Sequence, residues 1–70
     1  MSLVQQNIIR IIDEKCLMKK GVARRAGISQ QALSDIIAGR KVIRADIIPP
    51  LANALGVDVD ELFKDAEKGA

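Results

Sequence analysis

Apolar residues recur at intervals of three and four along nearly the whole chain, and no segment alternates apolar and polar positions at period two. Val4, Ile8, Ile9, Ile11 and Ile12 predict a helix over 3–15, with Asp13 and Glu14 on its wet side. Leu17 leads into a second run, Lys19 to Ala26, where Val22, Ala23 and Ala26 make a narrow apolar stripe. Gly27 suits the left-handed backbone that ends a helix, and Ser29 is a good N-cap for the next one. Leu33, Ile36 and Ile37 form the buried side of that third helix, which ends at Gly39. Residues 40–44 read as a loop. Pro49 and Pro50 are tolerable only in a first turn, so a fourth helix starts near Asp46 and closes at Leu55, before Gly56. Asp58 followed by Glu61 is a capping-box pattern that opens a fifth helix through Leu62 and Phe63, and the tail over 66–70 is expected to fray. The pattern predicts an all-α fold of five short helices.

Composition narrows the chemistry. Seventy residues without an internal repeat, low-complexity tract or linker are expected to form one domain over 1–70. A chain 49% hydrophobic and 29% charged is globular in character, not disordered. Phe63 is the single aromatic, and there is no Trp, Tyr or His, which argues against a sugar-stacking groove or a histidine-based catalytic centre. One cysteine makes no internal disulfide, and without histidine no metal-ligand cluster is expected, nor any cofactor. Cys16, lacking a His partner, reads as a buried or half-buried helix-end residue, not a reactive thiol. No stretch reaches the ~18 apolar residues of a membrane span and no signal peptide is present, so the expectation is a cytoplasmic protein with no membrane partner.

Charge changes the picture more than composition does. The net charge is only +2, yet residues 1–44 carry nine cations against Asp13, Glu14 and Asp35, while residues 45–70 carry Lys64 and Lys68 against six acids. The first part is therefore net +6 and the second net −4. Segregation of this kind gives one region a positive potential that a polyanion can use.

The residues "KKGVARRAGISQQALSDIIA", 19–38, resemble the helix-turn-helix of the Cro/cI-type (XRE-like) DNA-binding domains of phage repressors and bacterial regulators. Val22, Ala23, Ala26, Gly27, Ile28, Leu33 and Ile36 stand where that motif takes apolar, small or glycine residues. The physical logic holds without the family name: Ala23 is small where two helices cross closely, Gly27 turns the chain, and Ile28 and Leu33 pin the second helix to the first. "LANALGVDVDELF", 51–63, is similar to the fourth and fifth helices of the same family. The resemblance implies a compact five-helix, lambda-repressor-like domain with its motif on the second and third helices. Four positions depart from it. Many members pair an arginine in helix 1 with a glutamate near the end of helix 3, where this chain has Ile12 and Ile37. Packed aliphatic side chains often replace a buried ion pair without loss of stability, so Ile12 and Ile37 are expected to meet. Cys16 stands where relatives close helix 1 with glycine, and Met18 where they cap helix 2 with Ser or Thr.

In this family the first turn of the third helix reaches base edges in the major groove. Gln30 and Gln31 each offer a donor and an acceptor on one planar amide, a match for adenine N6 and N7. Ser34 and Asp35 lie further along, Asp35 as an acceptor suited to cytosine N4 at the cost of repelling phosphate. The expected base readers are Gln30, Gln31, Ser34 and Asp35. Phosphate contacts fall to Lys19, at a helix start that favours anions, to Ser29, and to Arg40, Lys41 and Arg44 in the loop that the family runs beside the backbone. Arg44 could equally enter a minor groove, and Arg24 and Arg25 either touch DNA or face solvent.

The function implied is a sequence-specific transcriptional regulator, a repressor that occupies an operator as a homodimer, with double-stranded DNA as partner and no small-molecule ligand. The alternative keeps the fold and makes it a protein-interaction module, such as an antitoxin or accessory factor, because Ile9, Ile43 and Ile47 add aliphatic surface. No nucleophile is paired with a base, so no enzyme is expected.

Overall fold

A computed structural model describes residues 3–64; the expected fraying at 66–70 lies outside them. Five α-helices run in chain order: α1 Leu3–Glu14, α2 Lys19–Ala26, α3 Gln30–Ala38, α4 Ile48–Leu55 and α5 Val59–Leu62, with a 3-10 turn at Ala45–Ile47. Each of the first four helices ends in the same way. A residue one or two places beyond it takes a positive φ (Cys16 54°, Gly27 76°, Gly39 80°, Gly56 74°), and the next amide reaches back across the last turn, as from Ile28 to the Ala23 carbonyl at 3.0 Å or from Val57 to Ala52 at 3.0 Å. At Gly39 a side chain is disfavoured twice over, because a Cβ there would also stand a tight 3.2 Å from the Gln5 amide nitrogen. Cys16 makes the same turn without glycine, with the Leu17 amide bonded to the Ile12 carbonyl at 2.9 Å. A left-handed L-residue costs about 1–2 kcal/mol.

The core is aliphatic. Ile8 and Ile11 of α1, Val22, Ala23 and Ala26 of α2, Leu33 and Ile36 of α3, Leu51, Ala52, Ala54 and Leu55 of α4 and Leu62 of α5 form one buried cluster. Helix α2 packs most extensively on α4, and its small residues allow that approach. Ile12 and Ile37, the stand-ins for the family's ion pair, are both half-buried against this core and line one surface cavity of about 420 Å³ with Ile9 and Leu17. Both side chains thus face one cavity between the same helices. Among the described residues, no helix is long and apolar enough to cross a membrane.

Three details differ from the sequence reading. Cys16 is exposed, because the left-handed turn swings it out of the helix. The chain enters α4 through a 3-10 turn, with the Ile47 amide on the Arg44 carbonyl at 3.2 Å, and becomes α-helical only at Ile48. Ile48, directly ahead of Pro49, is already α (φ −63°, ψ −49°), and the two prolines sit in the first turn of α4, where their missing amides forfeit no bond within the helix. The Asp58–Glu61 capping box does not form: Asp58 makes no side-chain cap bond, and its carbonyl accepts the Glu61 amide at 3.0 Å instead.

What holds α5, a single turn, is at its other end. The Asn7 side chain is 1% exposed, and its amide nitrogen donates to the carbonyls of Leu62 and Lys64, both at 2.8 Å. Arg10 donates to the Asn7 amide oxygen at 3.3 Å. Gln5 of α1 and Lys15 just past its end treat two other helices likewise: Gln5 donates to the Ile37 carbonyl near the end of α3 at 2.8 Å, and the Lys15 ammonium to Leu55 and Gly56 at the end of α4, at 3.0 and 3.3 Å. Truncating Asn7 strands two carbonyls, each worth roughly 1–3 kcal/mol when left unpaired. Asn7→Ala should therefore lower stability in urea unfolding by about 2–4 kcal/mol, while Lys20→Ala on the exposed face of α2 stays within ~0.5 kcal/mol. Equal midpoints for the two variants would remove Asn7 from its structural role.

Candidate nucleic-acid interface

Helix α3 is built as a presented helix. Leu33 and Ile36 are buried, 0% and 2% exposed, so the rotation of the helix about its axis is fixed. Gln30 and Gln31 are consequently exposed in its first turn, with Ser34 and Asp35 half-buried one turn on. The Ser29 hydroxyl oxygen accepts the Ala32 amide at 3.0 Å, as a cap should, which leaves its proton available to donate outward. The turn between α2 and α3 spans residues 27–29.

Helix α2 begins at Lys19 with no side-chain cap from Met18, which is itself 74% exposed. Lys19, Arg24 and Arg25 are exposed, and so are Arg40, Lys41 and Arg44 beyond α3. Arg44 pairs with Asp46 at 3.3 Å, but both side chains are well exposed, so the pair competes weakly with a phosphate.

The feature not foreseen from sequence is a network on one carboxylate oxygen. Asp35 Oδ1 accepts from the Gln31 amide nitrogen at 3.1 Å and from Arg40 Nε at 3.1 Å, with Arg40 Nη2 at 3.0 Å. The Asp35 main-chain carbonyl takes the Arg40 and Lys41 amides at 2.9 and 3.3 Å. One residue thus ties a side chain in the first turn of α3 to the exit loop. The Gln31–Asp35 half was discoverable from its i, i+4 spacing. The Arg40 half was not, because it depends on the left-handed turn at Gly39.

The Arg40 hydrogen bond, and next the Gln31 amide, hold the Asp35 carboxyl below its ordinary value; partial desolvation opposes them, and Lys41 adds a smaller pull in the same direction. A depressed carboxylate pKa contributes stability above the unfolded-state value and loses it as pH falls through the folded one. In an NMR pH titration the Asp35 carboxyl should therefore titrate at lower pH than an ordinary aspartate, and Arg40→Ala should move its midpoint upward. A midpoint indifferent to Arg40 would mean that the pair does not persist in solution.

Comparison with known proteins agrees with this geometry. The helix-turn-helix family model matches residues 15–62. A protein of Sinorhizobium fredii (strain NBRC 101917 / NGR234), described as the uncharacterized HTH-type transcriptional regulator y4dJ, is 42% identical over 66 residues, which cover 94% of this chain and 86% of that protein. Among solved structures, the clp gene regulator ClgR from C. glutamicum superposes with a TM-score of 0.80 at 20% identity, over 87% of this chain and 79% of its own. The hypothetical transcription factor NHTF from Neisseria does so with a TM-score of 0.84 at 22% identity, over 96% and 77%. At those identities the two structures speak for the fold alone.

Proposed function

We propose that this chain, which belongs to the Cro/cI-type helix-turn-helix family, is a sequence-specific DNA-binding transcriptional regulator, a repressor that occupies its operator as a homodimer in the cytoplasm. The observation that carries the reading is α3 itself: its apolar face is locked in the core and two amide side chains stand exposed at its N-terminal turn. A helix so placed fits the major groove, where adenine offers an acceptor and a donor to one amide. Gln30 and Gln31 are the principal readers, with Ser34 beside them; Asp35 shares their face with its carboxylate already engaged. Lys19, Ser29, Arg40, Lys41 and Arg44 hold the phosphates, supplying affinity without sequence information.

Selection from a random duplex library, followed by titration of the selected and a scrambled duplex, tests the reading. Gln30→Ala should cost roughly 1–3 kcal/mol on the selected duplex and little on the scrambled one. Lys41→Ala should weaken both alike and reduce the salt slope by about one counterion. If Gln30→Ala weakens both duplexes equally, the glutamine is no reader; if Lys41→Ala changes nothing at low salt, the loop after α3 faces away from the backbone.

A domain of this size reads few base pairs, so two copies on paired half-sites supply the needed specificity, with the two α3 helices ~34 Å apart. The seam we assign is α5 with the turn before it, a choice supported by the exposure of Val59 (37%) and Phe63 (51%). Sedimentation on a palindromic duplex should give two chains per duplex, and Phe63→Glu should weaken that assembly while leaving single half-site contacts intact. A stable one-to-one complex would sink the dimer.

A protein-interaction module, such as an antitoxin or accessory factor, is favoured by a separate observation. Val42 is 85% exposed and lines a groove of about 710 Å³ with Ile43, Ile48 and Phe63. Failure to discriminate any duplex from random sequence would turn the assignment to that reading.

A further inference from the structure

We propose that Asp35 is a positioning residue that reads no base itself: it acts through Gln31 and Arg40, fixing which edge of the Gln31 amide meets DNA and holding Arg40 at the end of the recognition helix. The inference rests on the DNA-reading role given to α3.

An ionised carboxylate only accepts hydrogen bonds, so contact with Asp35 Oδ1 forces the Gln31 amide to turn its nitrogen inward. Flipping that amide would set its carbonyl oxygen against the carboxylate and lose the bond. Gln31 keeps its oxygen and one N–H, still a donor beside an acceptor, but in a single order along the groove. An untethered glutamine can present either order and so tolerates more than one base edge. The tether converts a permissive side chain into a directional one.

Direct readout by Asp35 would meet three obstacles. Its Oδ1 is already shared by two side chains. Turning the carboxylate toward a base would give up the Arg40 pair at 3.0 Å. An unpaired carboxylate close to the phosphates would also be repelled. With Arg40 in place that charge is neutralised, and the hydrogens on Nη1 remain for a phosphate oxygen. The same residue's main-chain carbonyl, bonded to the amides of Arg40 and Lys41, sets where the exit loop starts. Base reader and phosphate holder are therefore linked through one residue, and a shift of either is felt by the other.

A double-mutant cycle of Gln31→Ala and Asp35→Ala tests this on duplexes carrying all four base pairs at each selected position. The discrimination ratio is the readout, since it cancels losses of affinity common to every sequence. Asp35→Ala should reduce discrimination roughly fivefold or more at the base pair that Gln31 reads, and change it by less than about twofold in the Gln31→Ala background. Asp35→Asn, whose amide can donate as well as accept and so no longer fixes the order of the Gln31 amide, should lose discrimination at the same base pair as Asp35→Ala does. Without DNA, the side-chain amide signals of Gln31 should shift in both Asp35→Ala and Asp35→Asn. Loss of selectivity at a base pair that Gln31→Ala leaves untouched, or additive effects of the two substitutions, would overturn the positioning role and make Asp35 a reader. If selection with the wild-type protein yields no preferred sequence, the DNA-reading role falls and this inference falls with it, a result distinct from additivity.

Discussion

The ends of short helices carry carbonyls that the helices themselves leave unpaired, and in this chain α1 and the residue just past it supply missing donors. Four carbonyls stand unsatisfied at each helix C-terminus, and a bundle of helices this short has a high proportion of such ends. The reach-back amides at the left-handed turns meet part of the demand. Gln5, Asn7 and Lys15 meet more of it, one at the end of α3, one at α5 and one at α4. These bonds are directional where the hydrophobic contacts between the same helices are not. The aliphatic core makes the helices associate, and the polar residues of α1 specify where along each partner the association stops.

That constraint reaches the recognition helix directly. Gln5 holds the Ile37 carbonyl, and its amide would crowd a side chain on Gly39. The C-terminal turn of α3 is thus anchored from the core side by α1. From the solvent side it is anchored by Asp35, whose carbonyl and carboxylate gather Arg40 and Lys41. Leu33 and Ile36 fix rotation about the axis. With rotation, end and exit loop all fixed, Gln30 and Gln31 are displayed on a rigid element, which is what discrimination between similar base edges requires.

The motif from Lys19 to Ala38 was legible because its determinants are local: helical periodicity, a glycine at a left-handed turn, and a serine that caps three residues ahead. The placement of the proposed interface residues follows from the same periodicity, since Leu33 and Ile36 leave one face for Gln30, Gln31, Ser34 and Asp35. Asn7 was not legible. On the sequence it is a polar residue in an amphipathic helix, and only the fold brings the ends of a separation of 55 and 57 residues together. Asp58 and Glu61 matched a local capping rule that lost to tertiary geometry, because α5 is held at its C-terminal end by Asn7. Arg40 was legible as a cation in the right loop, but its pairing with Asp35 needed the path of the chain through Gly39.

The two departures at α1 and α3 bear on how the domain divides its work. Where the family resemblance implies a charged pair between those helices, this chain has Ile12 and Ile37, which line one surface cavity together with Ile9 and Leu17. Aliphatic contact associates the helices but carries little directional information, and the Gln5 bond to Ile37 restores the direction lost with the ions. Ionic pairing at the end of α3 is instead on the outside, between Asp35 and Arg40, where the acceptor is half-buried and the cation is 64% exposed. A surface pair of this kind adds little to stability, yet it can respond to an approaching phosphate in a way that a buried pair cannot. Stability in this domain is carried by aliphatic packing and buried amides, and the one charge of α3, Asp35, is paired with Arg40 at the surface.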